Sequence, residues 1–263
     1  MSKPLSILLV GDIFGEPGRK AALGLMPRLR AEYELDLVIA NVENAAGGFG
    51  VTPAIVEGLL RGGADVLTSG NHIWDKKEIV PFIGKENLLL RPANYPSGVP
   101  GVGSIVVKAG AHKVGVLNLQ GRAFLPPIDC PFQVADVEVP RLRQETPVII
   151  VDMHAEATAE KQAMGWYLDG KVSAVLGTHT HVQTADERIL PHGTAYLTDV
   201  GITGPMDSVI GIDKGIAIQR FITQMPMRFE PARGPAALHG AVVQVEPETG
   251  RAVAIQRLRV PFE

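Results

Sequence analysis

The chain has 263 residues, with 25 lysines and arginines against 28 aspartates and glutamates, so its formal net charge is −3. This balance excludes a nucleic-acid clamp that acts through bulk positive charge. At 46% hydrophobic and 20% charged residues, the composition also excludes a disordered chain. The length suits one large core, so we expect residues 1–263 to form a single domain, with two domains as the alternative.

The cysteine content and the N-terminal apolar run bear on the compartment. Cys130 is the only cysteine, which excludes an internal disulfide and favours a reducing compartment, so we expect the protein in the cytoplasm. The run at residues 5–10 is too short to span a membrane, and no cleavage pattern follows it. We interpret this run as a buried strand and expect no membrane partner.

Short apolar runs rich in branched residues alternate with longer mixed segments, which is typical of an α/β chain with buried strands. Strands are predicted near residues 5–10, 36–41, 65–69, 104–108, 113–119, 147–152, 172–176, 194–198, 215–222 and 240–245. Helices are predicted near residues 17–33, 52–62, 75–83, 136–145 and 157–170. From about residue 190 onward we expect only strands and turns, with a hairpin around residues 248–250, and two sheets in all.

Polar residues stand at five points where a predicted strand ends. They lie in the segments 11–15, 41–44, 70–72, 152–154 and 177–181. In an open α/β sheet, ligands bind outside the carboxyl ends of the strands, so these distant segments can converge on one edge. The pattern therefore predicts a functional site there.

The residue types in these segments are those of a metal site. Imidazole, carboxylate and amide oxygen, without cysteine, suit manganese, iron, zinc or magnesium. There are more candidate ligands than one tetrahedral ion can use, so two ions that share a bridging carboxylate are favoured, with Glu43 as the bridge. Four histidines belong to this group, whereas surface or packing roles are predicted for the other three, His112, His192 and His239.

The strand-end motifs resemble those of the calcineurin-like metallophosphoesterase superfamily. Two departures from its pattern are Phe14, where that superfamily has a histidine, and Glu43, where it has an aspartate. With these departures the chain is similar to a narrower family, the bacterial 2',3'-cyclic-nucleotide 2'-phosphodiesterases. The shared motifs are GDIFG at 11–15, NVEN at 41–44, GNHIWD at 70–75, HAEAT at 154–158, GTHTHV at 177–182 and TDVG at 198–201.

The resemblance implies a fold and a ligand set. The implied fold is a four-layer α/β/β/α sandwich with two packed mixed sheets. One ion would be held by Asp12, Glu43 and His181, with Asn44 in place of the histidine missing at position 14, and the other by Glu43, Asn71, His154 and His179. The family suggests two iron ions, and manganese or zinc would be chemically acceptable in the same site.

A reaction follows from the ligand set. We expect a hydroxide bridging the two ions to attack phosphorus, while His72, left free beside Asn71, protonates the departing ribose oxygen as general acid. The expected substrate is a small nucleotide phosphodiester. A 2',3'-cyclic phosphate opened to the 3'-phosphate is favoured, and 3',5'-cyclic or linear diesters are the alternatives.

Two other functions remain open. The same ions could serve a phosphomonoesterase, which would turn over monoesters and leave diesters intact. The chain could instead be a metal-dependent regulator that binds a nucleotide or an RNA end with weak catalysis. No dedicated surface for double-stranded nucleic acid is expected, and a homo-oligomer is expected because similar proteins associate.

Overall fold

Residues 3–263, described by a computed structural model, form two mixed β-sheets that pack face to face, with helices on both outer faces. The predicted four-layer α/β/β/α sandwich is confirmed. Within these residues, no helix combines the length and the apolar character needed to cross a membrane.

The first sheet carries the N-terminal strands and the C-terminal hairpin. Its strands are β1 (Leu5–Val10), β2 (Asp12–Ile13), β3 (Leu37–Asn41), β4 (Val66–Thr68), β11 (Ile202–Pro205), β12 (Ala236–Val245) and β13 (Ala252–Phe262). Strands β1, β3 and β4 are parallel, whereas β12 runs antiparallel to β1, and β13 pairs antiparallel with β12. The three parallel strands therefore end at the same edge.

The second sheet is built from the middle of the chain. Its strands are β5 (Ser104–Ala109), β6 (His112–Gln120), β7 (Ile149–His154), β8 (Ala174–Thr178), β9 (Arg188–Ile189) and β10 (Ala195–Leu197). Strands β6, β7, β8 and β10 are parallel, and β5 and β9 pair antiparallel at the two ends of the sheet.

Six helices complete the fold of the described residues. They are α1 (Gly15–Glu32), α2 (Pro53–Arg61), α3 (Val80–Ile83), α4 (Pro131–Arg143), α5 (Thr158–Tyr167) and α6 (Lys214–Thr223). Helices α1 and α2 cover the first sheet, and α4 and α5 cover the second.

Alternate residues of β1 explain why the strand is apolar throughout. Leu8 and Val10 pack against α1, whereas Ile7 and Leu9 face the second sheet, where Ile150 belongs to the same apolar cluster. Because both faces of the strand are covered, alternation of apolar and polar residues gives way to a continuous apolar run. Burial of each such side chain is worth about 1.5–3 kcal/mol.

The segment 215–222, predicted as a strand, is helix α6. Asp213 caps this helix, because its Oδ1 accepts hydrogen bonds from the amides of Gly215 at 2.9 Å and Ile216 at 3.1 Å. Such a cap satisfies amides that have no partner within a helix. The apolar residues of the segment do not enter a sheet, since Phe221 remains 75% exposed.

Other boundaries also differ from the prediction. Strands β2, β9 and β11 were not predicted, and β13 was predicted only as the second arm of the hairpin, without bounds. Helix α4 begins at Pro131 rather than near residue 136. The helix predicted over 75–83 is a 3-10 turn at Lys77–Ile79 followed by the single turn of α3. The predicted turn around 248–250 is confirmed, because it joins β12 to β13.

That residues 1–263 form one domain stays a prediction, and the two tryptophans allow a test. Trp74 packs beside the first sheet, and Trp166 lies on α5 beside the second. We expect Ile150→Ala to lower the free energy of unfolding by about 2–5 kcal/mol. Each of the variants Trp74→Phe and Trp166→Phe leaves the other tryptophan as the fluorescent probe. When Ile150→Ala is added to either variant, urea unfolding followed by fluorescence should give the same shifted transition.

The control for this experiment is Val253→Ala, at a half-exposed position of β13. It should change the free energy of unfolding by no more than about 0.5 kcal/mol. Two separate transitions, of which Ile150→Ala shifts only one, would contradict a single cooperative domain.

Candidate functional site

Both sheets direct the carboxyl ends of their parallel strands to one edge of the sandwich. Asp12 and Glu43 follow β1 and β3, and Asn71 follows β4. From the second sheet, His154 is the last residue of β7, and His179 follows β8 directly. Contacts between the two sets of side chains are on the order of hydrogen-bond length, so the predicted convergence of the strand ends is confirmed.

The structure brings Glu43, His154 and His179 together as a potential metal cluster, in which one ligand atom from each lies within 4.8 Å of the others. His154 Nε2 is 2.9 Å from Glu43 Oε1 and 3.0 Å from His179 Nδ1. Asn71 joins them, since its Oδ1 is 3.3 Å from His154 Nε2. These four residues are the set predicted for one ion.

Asn44 and His181 form a second group beside the first. His181 Nε2 lies 3.2 Å from Asn44 Oδ1. The amide of Asn44 has a defined orientation, because its Nδ2 donates to the carbonyl of Gly48 at 2.9 Å and the oxygen therefore faces His181. Asp12 lies next to this arrangement: its Oδ2 accepts a hydrogen bond from the His179 amide at 3.1 Å.

The surroundings of the Asp12 side chain are the best indication that the site binds a cation. Its side chain is fully buried, and its Oδ1 has no hydrogen-bond partner. Burial, together with the nearby carboxylates of Glu43 and Asp199, raises the pKa of Asp12 well above its usual value. A buried anionic oxygen without a partner is costly unless a cation compensates it, so the donor set fits metal ions.

The histidines are poised to offer lone pairs to a metal. Burial lowers the pKa of His154 to about 4 and also lowers the pKa of His181. Both rings are therefore neutral near pH 7, which is the form that binds metals. The close packing of the cluster also requires a glycine at position 70, because a Cβ there would collide with the ring of His154 and with Glu43 Oε2.

A buried network holds the ring of His154. Its Nδ1 donates to Thr178 Oγ1 at 2.8 Å, and the hydroxyl of Thr178 donates to Asp152 Oδ1 at 2.7 Å. Asn41 and Thr68 also donate to Asp152, whose pKa burial raises to about 6. Such partners fix the tautomer of a ligating histidine, so Nε2 of His154 faces Glu43 with a free lone pair.

The other two rings have different anchors. His179 Nε2 lies 3.2 Å from Glu156 Oε2, which leaves Nδ1 for the cluster. His181 Nδ1 donates to the carbonyl of Ile210 at 2.8 Å, which leaves Nε2 toward Asn44. Sequence reasoning missed both anchors. Glu156 stands in the HAEAT motif and could have been found there, but no sequence signal marks a backbone carbonyl.

The loop that carries His179 and His181 has a strained backbone, with φ of 98° and 65° at these residues. Asp199 holds the residue between them, because its Oδ2 accepts hydrogen bonds from the amide and the hydroxyl of Thr180. Lys161 is fully buried and donates to the same oxygen at 2.7 Å. The ion pair thus helps to hold the two histidines in their unusual conformation.

Phe14 stands where the wider superfamily has a histidine, and its side chain makes a packing contact. Its buried ring meets the ring of His181 edge to face, with centroids 5.6 Å apart. The phenyl ring cannot ligate, and Asn44 supplies the polar atom on this side of His181.

His72 lies outside the group of ligands but adjoins it. Its backbone amide donates to Glu43 Oε2 at 3.2 Å, and its Nδ1 lies 2.9 Å from Asp75 Oδ2. The side chain is 27% exposed, and Phe49 packs edge-on against the ring. A histidine held by a carboxylate on one nitrogen presents the other nitrogen to solvent or substrate, so the position suits proton transfer.

Comparison with known proteins identifies the family of this chain. A family model described as YmdB-like protein matches residues 8–258. The chain belongs to the YmdB-like family. It is 51% identical over 256 residues to the 2',3'-cyclic-nucleotide 2'-phosphodiesterase of Bacillus subtilis strain 168, covering 97% of each chain. The resemblance inferred from the motifs is confirmed.

Two solved structures have the same fold across the whole chain. One, described as a hypothetical protein from Thermus thermophilus, is 40% identical with a TM-score of 0.92, covering 98% of this chain and 100% of that one. The other, described as a novel phosphatase from Mycoplasma pneumoniae, is 33% identical with a TM-score of 0.93, covering 99% and 95%.

Asp12→Asn tests whether the carboxylate of Asp12, one oxygen of which has no hydrogen-bond partner, binds a cation. In metal-free protein, loss of the buried charge should raise the free energy of unfolding by about 1 kcal/mol or more. Metal at 100 times its dissociation constant should stabilise the wild type by about 2.7 kcal/mol and the variant by much less. Urea unfolding with and without added metal measures both effects.

Asp207→Asn is the matched control, because Asp207 is an exposed carboxylate paired with Lys214. It should alter neither the metal-free stability nor the response to metal by more than about 0.5 kcal/mol. An Asp12→Asn protein that keeps the full stabilisation by metal would show that Asp12 is not a ligand.

Proposed function

We propose that this protein is a dinuclear metal-dependent phosphodiesterase that opens nucleoside 2',3'-cyclic phosphates and releases 3'-phosphates. The observation that carries the proposal is the cluster of Glu43, His154 and His179 beside the Asn44–His181 pair. The name of the B. subtilis relative, which is similar along nearly the whole chain, supports the substrate class.

The residues assigned to the two ions follow the two groups of donors. Glu43, Asn71, His154 and His179 would hold one ion, and Asp12, Glu43, Asn44 and His181 would hold the other. We propose iron, with manganese and zinc as acceptable substitutes for this imidazole and carboxylate set. When bound, such ions supply an activated water and polarise the phosphoryl oxygens.

His72 is the proposed general acid. Asp75 Oδ2 accepts a hydrogen bond from His72 Nδ1–H at 2.9 Å, which leaves Nε2 directed away from the carboxylate. As the bond between phosphorus and the ribose 2' oxygen breaks, His72 Nε2 would donate its proton to that oxygen and so avoid a strongly basic leaving group. Asp75 is then a positioning residue that orients the ring.

Other properties extend the proposal. The substrate is a small nucleotide, because a formal net charge of −3 provides no bulk positive charge for binding a duplex. The cytoplasm remains the proposed compartment, supported by Cys130 as the only cysteine. A homo-oligomer is supported by the exposed apolar side chains of α6, including Phe221 at 75% and Ile222 at 70% exposure.

Phosphomonoester hydrolysis is the second candidate. The M. pneumoniae structure is described as a novel phosphatase, and it aligns with this chain along its whole length. The same residues would bind a monoester, so the two activities are distinguished by measuring turnover of monoesters and of diesters.

The deciding experiment combines metal analysis of the purified protein with a panel of substrates. We expect two ions per chain and conversion of 2',3'-cyclic nucleotides to the 3'-phosphate, with slower turnover of 3',5'-cyclic and linear diesters. Glu43→Gln should lose metal and activity together, because its carboxylate adjoins both donor groups.

Other results of this panel have definite meanings. Turnover of monoesters without diesters would make the protein a phosphomonoesterase. Tight binding of cyclic nucleotides by the metal-loaded protein with negligible turnover would make it a regulator.

His72→Ala tests the general acid. We expect metal content to match the wild type and kcat for the 2',3'-cyclic substrate to fall by about 10²- to 10⁴-fold. A diester with an activated leaving group should lose much less, because its leaving group needs no proton. Asp75→Asn should give a smaller loss on the nucleotide substrate. Loss of metal in His72→Ala, or equal impairment on both substrates, would contradict this role.

A further inference from the structure

His239 is a buried polar side chain for which the fold supplies no hydrogen-bond partner. The residue is 7% exposed, and neither ring nitrogen has a partner. It lies on β12 on the same face as Ala241 and Val243, which belong to the apolar layer between the sheets. Leaving a buried polar group unpaired is unfavourable, so such a group in a native protein points to a missing partner.

The ring of His239 lines a cavity of about 600 Å³ between β11 and the C-terminal hairpin. Its polar lining comprises His181, Gln183, Ser208, His239, Arg257 and Arg259. No acidic residue is among the described side chains that line it. A concave site with a few polar groups on one wall is the usual form of a small-ligand site.

The positive charge of the cavity comes from β13. Arg257 and Arg259 are two residues apart on this strand and so project on the same side, with Arg259 directly opposite His239 in the register. Arg257 is partly neutralised by Glu187 Oε1, at 3.0 Å from its Nε. Arg259 is exposed and makes no ion pair or hydrogen bond within the described part of the chain.

The chemistry of these groups favours a phosphate over a carboxylate. Burial, helped by the charge of Arg259, lowers the pKa of His239 to about 4, so the neutral ring offers one donor and one acceptor. A phosphate monoanion has both acceptor oxygens and a hydroxyl that can donate, whereas a carboxylate can only accept. Arginine is also the preferred partner of phosphate oxygens.

The cavity shares a wall with the candidate metal site. His181 lines it, and so does Ile210, whose carbonyl accepts the hydrogen bond from His181 Nδ1. The nitrogen of His181 that faces Asn44 is the other one, Nε2. A ligand in the cavity would therefore lie behind His181 and touch the segment that fixes its orientation.

We propose that the cavity between β11 and the β12–β13 hairpin binds a phosphate group, either as inorganic phosphate or as part of a nucleoside monophosphate. Arg259 and His239 contact the phosphate, and the site is additional to the metal centre. The proposal goes beyond the proposed function, since it needs neither hydrolysis nor a particular cyclic substrate.

The test is calorimetric titration of the metal-loaded protein with inorganic phosphate, with adenosine 3'-monophosphate and with adenosine. We expect the wild type to bind one phosphate more per chain than Arg259→Ala, or to bind it about 10- to 100-fold more tightly at the affected site. His239→Leu, which exchanges the ring for an apolar side chain of similar volume, should weaken phosphate binding in the same way as Arg259→Ala. Adenosine should not bind there.

The relative affinities distinguish the two sources of the phosphate group. Tighter binding of adenosine 3'-monophosphate than of inorganic phosphate identifies a nucleotide site, and equal binding identifies a site for phosphate alone. Arg61→Ala removes an exposed arginine of α2 and should leave every titration unchanged.

Arg259→Ala keeps the proposal falsifiable if His239→Leu fails to fold, because Arg259 is exposed. Thermal unfolding midpoints identify any variant that is not folded. Phosphate titrations with the same stoichiometry and affinity in wild type and folded Arg259→Ala would overturn the proposal. So would a crystal grown in phosphate in which phosphate occupies only the metal centre.

Discussion

Two carboxylates, Asp12 and Glu43, are buried within one small region, and this concentration of negative charge is the constraint on which the rest of the site depends. Glu43 accepts a hydrogen bond from the backbone amide of His72, whereas one oxygen of Asp12 has no hydrogen-bond partner. Isolated charges in a dry interior are strongly unfavourable, so a bound cation would stabilise this edge of the fold. Stability is given up here for a strong and preorganised binding site.

The surrounding structure opposes relaxation of this arrangement. The buried Lys161–Asp199 pair holds the strained loop of His179 and His181, and the Thr178–Asp152 network holds the ring of His154. Each metal-facing nitrogen is selected by a hydrogen bond on the opposite nitrogen. Donors fixed in this way would retain their geometry when a metal binds, because no ring needs to turn.

Local patterns predicted the elements whose burial is simple. Strands such as β1 and β7 are apolar because both faces are covered, so their positions could be predicted from composition. Helix α6 was missed because a single cap at Asp213 outweighs the branched residues that follow. The bounds of β13 were not predicted, because it pairs with one neighbour only, has several exposed residues and lacks a continuous apolar run.

The sequence by itself determined the types of donor at the site and their positions at strand ends, and these predicted the candidate ligands and the candidate general acid without coordinates. Only the tertiary structure decided the partners of those donors. Glu156, Lys161 and the carbonyl of Ile210 lie far along the chain from the rings or loops they support. The assignment of His239 to packing could not anticipate Arg259, because strand register alone puts the two side chains opposite each other.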